Sequence, residues 1–179
     1  MFVISKDLLV QLVGQCISRS QYSFQRDVLQ AMKDKLKIYT YQYDGYFKRI
    51  DGIKRYYEAN LDIINPQNSR KLFFTDTPIY TRVNDNAPCK YGLESKVKHS
   101  LIADGCIVEG DVENCVLFRG VKVGKGAVVK NSIIMQNTVI GQHAELNYMI
   151  TDKNVNVERY RVLSGSLVYP LFVGKGVSL

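Results

Sequence analysis

From residue 97 onward the chain repeats itself every 17 positions, and within each block aliphatic residues recur at steps of six, five and six. Val112, Val129, Leu146 and Leu163 fall in one column. Leu117, Ile134 and Thr151 form a second, Val121, Thr138 and Val155 a third, and Val123, Ile140 and Val157 a fourth. Cys115, Ser132 and Met149 also align, as do Val116, Ile133 and Ile150, and Ala127 and Ala144 before Arg161 breaks that series. An earlier copy starting at Val97 is 15 residues long. A six-residue unit is too short for a pair of helices. It suits one flat side of a triangular coil of about 18 residues per turn, each coil stacked on the last. One aliphatic residue per side then points into a common core, and small residues fill the corners.

This periodicity disposes of a competing reading. Gly124-Lys125-Gly126 and Gly174-Lys175-Gly176 look like pieces of a phosphate loop. Such a loop needs a strand before it, a helix after it and Ser or Thr following the lysine. Lys125 is followed by Gly126 and then by more hexads such as "IMQNTV" and "IGQHAE". Glycine is favoured where a tight corner requires unusual backbone angles, so the repeat accounts for both glycines.

Upstream of the repeat the pattern changes. Residues 1–64 read as mixed α/β. "FVIS" is predicted as a short strand, and Ser5 as the cap of a helix carrying Leu8, Leu9, Leu12 and Val13. Ser23 begins a second helical stretch with Val28, Leu29 and Met32 on one side. "LKIYTYQY" (36–43) alternates as a strand does, and residues 52–64 place Ile53, Tyr56, Tyr57, Asn60, Leu61 and Ile64 at helical spacing. Residues 65–96, with Pro66, Pro78 and Pro88, read as an ordered linker. Phe73, Phe74 and Tyr80 are the candidates to cover the first coil, and "SGSLVYPLFVGKGVSL" to cap the last. The fold class expected is the end of an α/β domain (1–64), a linker (65–96) and an all-β left-handed parallel β-helix (97–179).

Composition bounds the function. Hydrophobic residues at 46% and charged residues at 23% are ordinary for a globular chain, and no apolar run reaches the ~18 residues of a membrane span. The N-terminus lacks the basic region, apolar core and small-residue site of a signal peptide. Cys16, Cys89, Cys106 and Cys115 form no CxxC pair and are read as reduced thiols, with no structural zinc site and no metal ligands. The net charge is +7, with lysine and arginine scattered rather than massed. A solvated basic face is the plain reading. Phosphate-bearing anions come next, for which Lys96, Lys98, Arg119 and Lys122 in the first coils are candidates, and neither nucleic acid nor a membrane is expected as partner.

The residues also carry a resemblance. "YFKRIDGIKRYYEANLDII", the proline-containing connection and "SLIADGCIVEGDVENCVLFRGVKVGKGAVVKNSIIMQNTVIGQHAELNYMITDKNVNV" together resemble the C-terminal part of the bacterial glucose-1-phosphate adenylyltransferases (ADP-glucose pyrophosphorylases). The resemblance implies a nucleotidyltransferase-type α/β domain followed by the β-helix. It implies a cytoplasmic role in glycogen synthesis, in which ATP and glucose 1-phosphate give ADP-glucose and pyrophosphate with Mg2+ in the catalytic members. The family's glycine-rich triphosphate loop and sugar-phosphate lysine segment have no counterpart here. Catalytic members carry a "DVGT"-like segment before the "EAN" helix; this chain has Arg49-Ile50-Asp51-Gly52, with a cation where a carboxylate is expected. Asp51, two places on, is the one candidate to compensate. The departures resemble the D-type, non-catalytic relative of the family. They imply no catalytic residue and no cofactor in this chain, a remnant sugar-phosphate region at Arg49, Asp51 and Gly52, and a homo- or hetero-oligomer with a catalytic subunit. The rivals are a hexapeptide acyltransferase, for which His143 would be the general base, and another sugar-nucleotide pyrophosphorylase. The plainer readings make His143 a solvent-facing turn residue and His99 a surface residue.

Overall fold

A computed structural model describes residues 2–74, 79–80 and 85–179. Pro78 and Asn84 of the expected linker lie outside the described residues. The chain divides into two compact units, Met1–Asp44 and Gly45–Leu179.

The first unit is helical. Helix α1 spans Lys6–Ser18, and a π-helical stretch spans Phe24–Gln30. Ser5 stands at the start of α1 in extended conformation, but its side chain makes no capping bond. Ser23 does cap the π-helical stretch: its hydroxyl accepts from the Arg26 amide, while the Asp27 carboxylate accepts from the Ser23 amide at 3.0 Å. Leu12 and Val28 are buried, whereas Leu9 and Val13 are exposed. Two expectations fail. "FVIS" and residues 36–43 form no strand. Alternation specifies which face would be buried, but a strand also needs a neighbour to take up its backbone groups, and this unit has no sheet among its described residues. Tyr39 and Tyr41 lie almost fully exposed.

The second unit holds α2 (Ile53–Asp62), α3 (Pro66–Phe73) and the strands. The first rung is β1 (Lys90–Tyr91), β2 (Lys96–Lys98) and β3 (Leu101–Ile102); the second is β4 (Ile107–Val108), β5 (Asp111–Glu113) and β6 (Val116–Leu117). The third is β7 (Lys122–Val123), β8 (Val128–Lys130) and β9 (Ile133–Ile134); the fourth is β10 (Val139–Ile140), β11 (Glu145–Asn147) and β12 (Met149–Thr151). The fifth is β13 (Asn156–Val157), β14 (Val162–Ser164) and β15 (Leu171–Val173). Each strand pairs in parallel with its counterpart one rung on, giving three five-stranded sheets among the described residues. This is the expected parallel β-helix. It starts at Lys90, inside the stretch read as linker, and α3 occupies another part of that stretch. Helix α3 opens on Asn65, whose side chain accepts from the Gln67 amide at 2.9 Å, with Pro66 in the first turn and Arg70 and Lys71 in the last. These are good start and stop signals for a helix.

The columns read from the repeat are the columns of the core. Val112, Val129, Leu146 and Leu163 are in register on the second face, and Val123, Ile140 and Val157 on the first. Leu117, Ile134 and Thr151 are in register on the third. Thr138, Ser132 and Thr151 are fully buried, and each hydroxyl has a partner: Thr138 donates to the Asp152 carbonyl at 3.1 Å, Ser132 donates to the Lys130 carbonyl, and Thr151 accepts from the Met135 amide at 3.3 Å.

Two rungs depart from 17 residues. Lys96 pairs with Asp111, 15 positions on, whereas Lys90 pairs with Ile107, 17 on. The two missing residues therefore come from the corner between β4 and β5, which is reduced to Glu109-Gly110. A Cβ at Gly110 would strike the Ala127 carbonyl and come within 2.8 Å of the Gly124 carbonyl, so the short corner demands glycine. Conversely, Ile150 pairs with Phe172, 22 positions on, while Leu146 pairs with Leu163, 17 on. Five extra residues leave the last rung between β14 and β15. Ser166 and Tyr169 exchange both backbone hydrogen bonds, at 3.0 and 3.1 Å, so Leu167-Val168 is the tip of a tight hairpin. Phe73, Phe74 and Tyr80, expected to cover the first rung, are instead exposed. Among the described residues no helix is long and apolar enough to cross a membrane.

Ile140 is 1% exposed and Lys125 faces solvent with only an exposed ion pair to Glu94. Ile140→Ala is expected to cost about 2–5 kcal/mol in denaturant melts and Lys125→Ala less than about 0.5 kcal/mol. Burial pushes the Cys115 thiol from 9.0 up to about 12. The folded state thus disfavours the thiolate, a contribution present in full below pH 9 and lost as pH rises toward 12. Stability measured across that range should fall in the parent chain and fall less in Cys115→Ala.

Candidate functional site

Helix α2 is where the family-like segment meets the β-helix. Its buried face carries Tyr57, with Tyr56 and Leu61 beside it, and packs on Ile133 and Ile150. Those two isoleucines point outward from the third face of the β-helix, yet are 0% and 1% exposed because the helix covers them. The Tyr57 hydroxyl donates to the Asn131 carbonyl at 2.7 Å, and burial raises the phenol's pKa. The far end of α2 is tied down as well. The Asp62 carboxylate takes an ion pair from Lys48 at 2.8 Å and a hydrogen bond from Tyr46 at 3.1 Å.

Arg49, Asp51 and Gly52, expected as a remnant sugar-phosphate region, lie at the opposite end of α2. Gly52 precedes the helix in extended conformation. The Asp51 carboxylate sits between two guanidiniums, Arg55 at 3.1 Å and Arg49 at 3.5 Å. These residues do not fit a magnesium ion, which requires oxygen ligands in octahedral array and would meet two fixed positive charges here. Among the described residues no three His, Cys, Asp or Glu side chains gather as metal ligands.

The four candidate anion residues are spread around the first coils. Lys96 and Lys98 stand on β2, in register with Asp111 and Glu113 of β5. Lys122 is on β7 of a different sheet, in register with Ile107, and Arg119 is at the corner between the third and first faces. The structure brings Lys96 and Lys98 together, opposite acidic neighbours, and leaves Arg119 and Lys122 apart from them.

Both histidines are corner residues in the left-handed region, His99 at φ 44° and His143 at φ 56°. His99 Nδ1 lies 3.1 Å from Asn114 Oδ1, at the head of a chain in which Asn114 donates to Asn131 at 2.8 Å and Asn131 to Asn147 at 2.9 Å. The Asn114 amide is a donor toward Asn131, so its oxygen faces His99, which must present N–H there. His143 stacks on Tyr160 of the next rung, ring centroids 5.2 Å apart and 10° from parallel. Gly126 holds the equivalent position one rung earlier (φ 69°), and a Cβ there would lie 2.5 Å from the His143 ring.

Comparison with known proteins agrees with this architecture. A family model described as GlmU-like, C-terminal hexapeptide, matches residues 87–164. The glycogen biosynthesis protein GlgD of Bacillus subtilis is 40% identical over 177 residues, 98% of this chain and 51% of GlgD. The chain is also similar to bacterial glucose-1-phosphate adenylyltransferases. Those of Bacillus thuringiensis and Bacillus anthracis are 35% identical over 153 residues, 84% of this chain and 39% of theirs. The chain spans about half the length of GlgD.

Sequence reading aligned Val116, Ile133 and Ile150 without assigning them a partner. The signal was present: a second apolar column beside the core column on one face, and Tyr56-Tyr57 at helical spacing to meet it. Tyr57→Phe removes one hydrogen bond and should cost about 0.5–1.5 kcal/mol in a thermal melt. Tyr57→Ala also empties the contact with Ile133 and Ile150 and should cost about 3–5 kcal/mol.

Proposed function

We propose that this chain acts in glycogen biosynthesis as a regulatory or assembly subunit beside a catalytic glucose-1-phosphate adenylyltransferase in the cytoplasm, and does not itself form ADP-glucose. Similarity to GlgD along nearly the whole chain supports the pathway. The arginine-flanked carboxylate at Asp51 supports the non-catalytic role: catalytic magnesium would be held by the partner. The single observation that carries the assembly role is the apolar last rung. Leu167, Val168 and Tyr169 are 60%, 69% and 80% exposed on the hairpin, and Phe172 is 49% exposed beside it. Exposed aliphatic and aromatic side chains on a hydrogen-bonded, rigid turn form the kind of anchor that protein interfaces use.

Sedimentation at micromolar protein tests this. The chain mixed with the catalytic subunit of the same cell should give a boundary faster than either alone. Leu167→Ser together with Tyr169→Ser should weaken the complex about tenfold or more. A monomeric boundary for this chain in both runs would sink the reading. In a pyrophosphate-release assay the chain alone should show no turnover, and should change the rate of the catalytic subunit when added to it.

A further inference from the structure

The short second rung leaves a notch. Its corner, Glu109-Gly110, falls short of the corners on either side, and the gap is spanned by the Lys125–Glu94 ion pair at 3.2 Å. The notch has a volume of about 260 Å3 and is lined by Glu94, Lys96, Glu109, Asp111, Lys125 and His143. Its floor is bare because Gly110 cannot carry a side chain. Its far wall is the imidazole of His143, and behind that ring lies Tyr160, stacked on it and 68% exposed. A second recess of about 540 Å3, which includes Gln142 and Arg159, continues along the same corner.

The chemistry selects a ligand class. Three carboxylates stand against two ammonium groups, and one ammonium, that of Lys125, is already paired with Glu94. An anion would meet net negative charge at close quarters. A neutral polyhydroxy ring meets what it needs: carboxylates to accept from its hydroxyls, ammonium groups to donate to them, and a flat aromatic surface for its apolar face. A hydrophobic ligand would leave the charged groups unpaired. We propose that this corner binds the glucosyl units of a glucan chain, one ring in the notch and a neighbouring ring against Tyr160. The choice of glucan over another neutral polyol rests on the glycogen-biosynthesis reading above. All the residues that line the notch belong to this chain.

The full chain alone, titrated with maltoheptaose by NMR or calorimetry, tests the proposal. Saturable binding in the range of about 0.1–10 mM is expected. Tyr160→Ala and Glu109→Gln, both at exposed positions, should each weaken it about fivefold or more with unchanged melting temperature. Glucose 1-phosphate should bind more weakly than maltotriose, since it adds negative charge. Absence of saturation by about 10 mM overturns the proposal, as does binding indifferent to both substitutions or a preference for glucose 1-phosphate. Because no catalytic subunit is present, failure here leaves the sedimentation test of assembly standing, and failure there leaves this result standing.

Discussion

The register between successive rungs is the interaction on which everything else in this protein rests. Parallel pairing at a 17-residue step mostly places like beside like: aliphatic on aliphatic in most inward columns, Gly126, His143 and Tyr160 in the left-handed region one above the other, amide on amide along Asn114 and Asn131. A slip of one residue would turn each inward column outward and put backbone angles that suit Gly126, Asn131 or Asn137 onto residues such as Ala127, Ser132 or the β-branched Thr138. The cost of that slip fixes the positions of the outer residues as firmly as those of the core. The notch, the hairpin and the seat for α2 are all consequences of a frame that has one register.

Helix α2 exploits that frame. The third face has apolar side chains outside as well as inside, so it needs a cover, and α2 supplies it over the third and fourth rungs. The result is that the segment resembling the end of a nucleotidyltransferase domain travels with the β-helix. The compact unit begins at Gly45, not after residue 64. Whatever strains the N-terminal end of α2, at Arg49, Asp51 and Arg55, acts on an element bonded to the middle of the β-helix through Tyr57.

The β-helix was legible because its signal is redundant. Each column is written three or four times, so single exceptions such as Arg161 do not hide it. The 15-residue block was visible too, but periodicity alone could not say which corner had lost two residues; that depends on which backbone approaches Gly110. Residues 36–43 misled for the opposite reason. Alternation there is written once, and a strand's existence depends on a partner that local pattern does not contain. The linker was assigned on its prolines, although Asn65-Pro66 is also how a helix begins. At the candidate site, Arg49 and Asp51 were found by resemblance, but the second guanidinium on Asp51 is an i,i+4 contact that only the helix start at Gly52 makes apparent.

A stack of rungs that offers unpaired strand edges at its end is a template for its own extension, and a protein whose rungs are interchangeable risks growing into filaments. The five residues inserted between β14 and β15 make the last rung unlike every other. A following rung of ordinary length, from this chain or another, would find its second and third strands out of step with the hairpin between them. The first face nevertheless continues past that insertion, where Ser178 pairs with Asn156 and the Leu179 carbonyl accepts from the Glu158 amide, so the hairpin and this closing segment together make this end of the column unlike its middle.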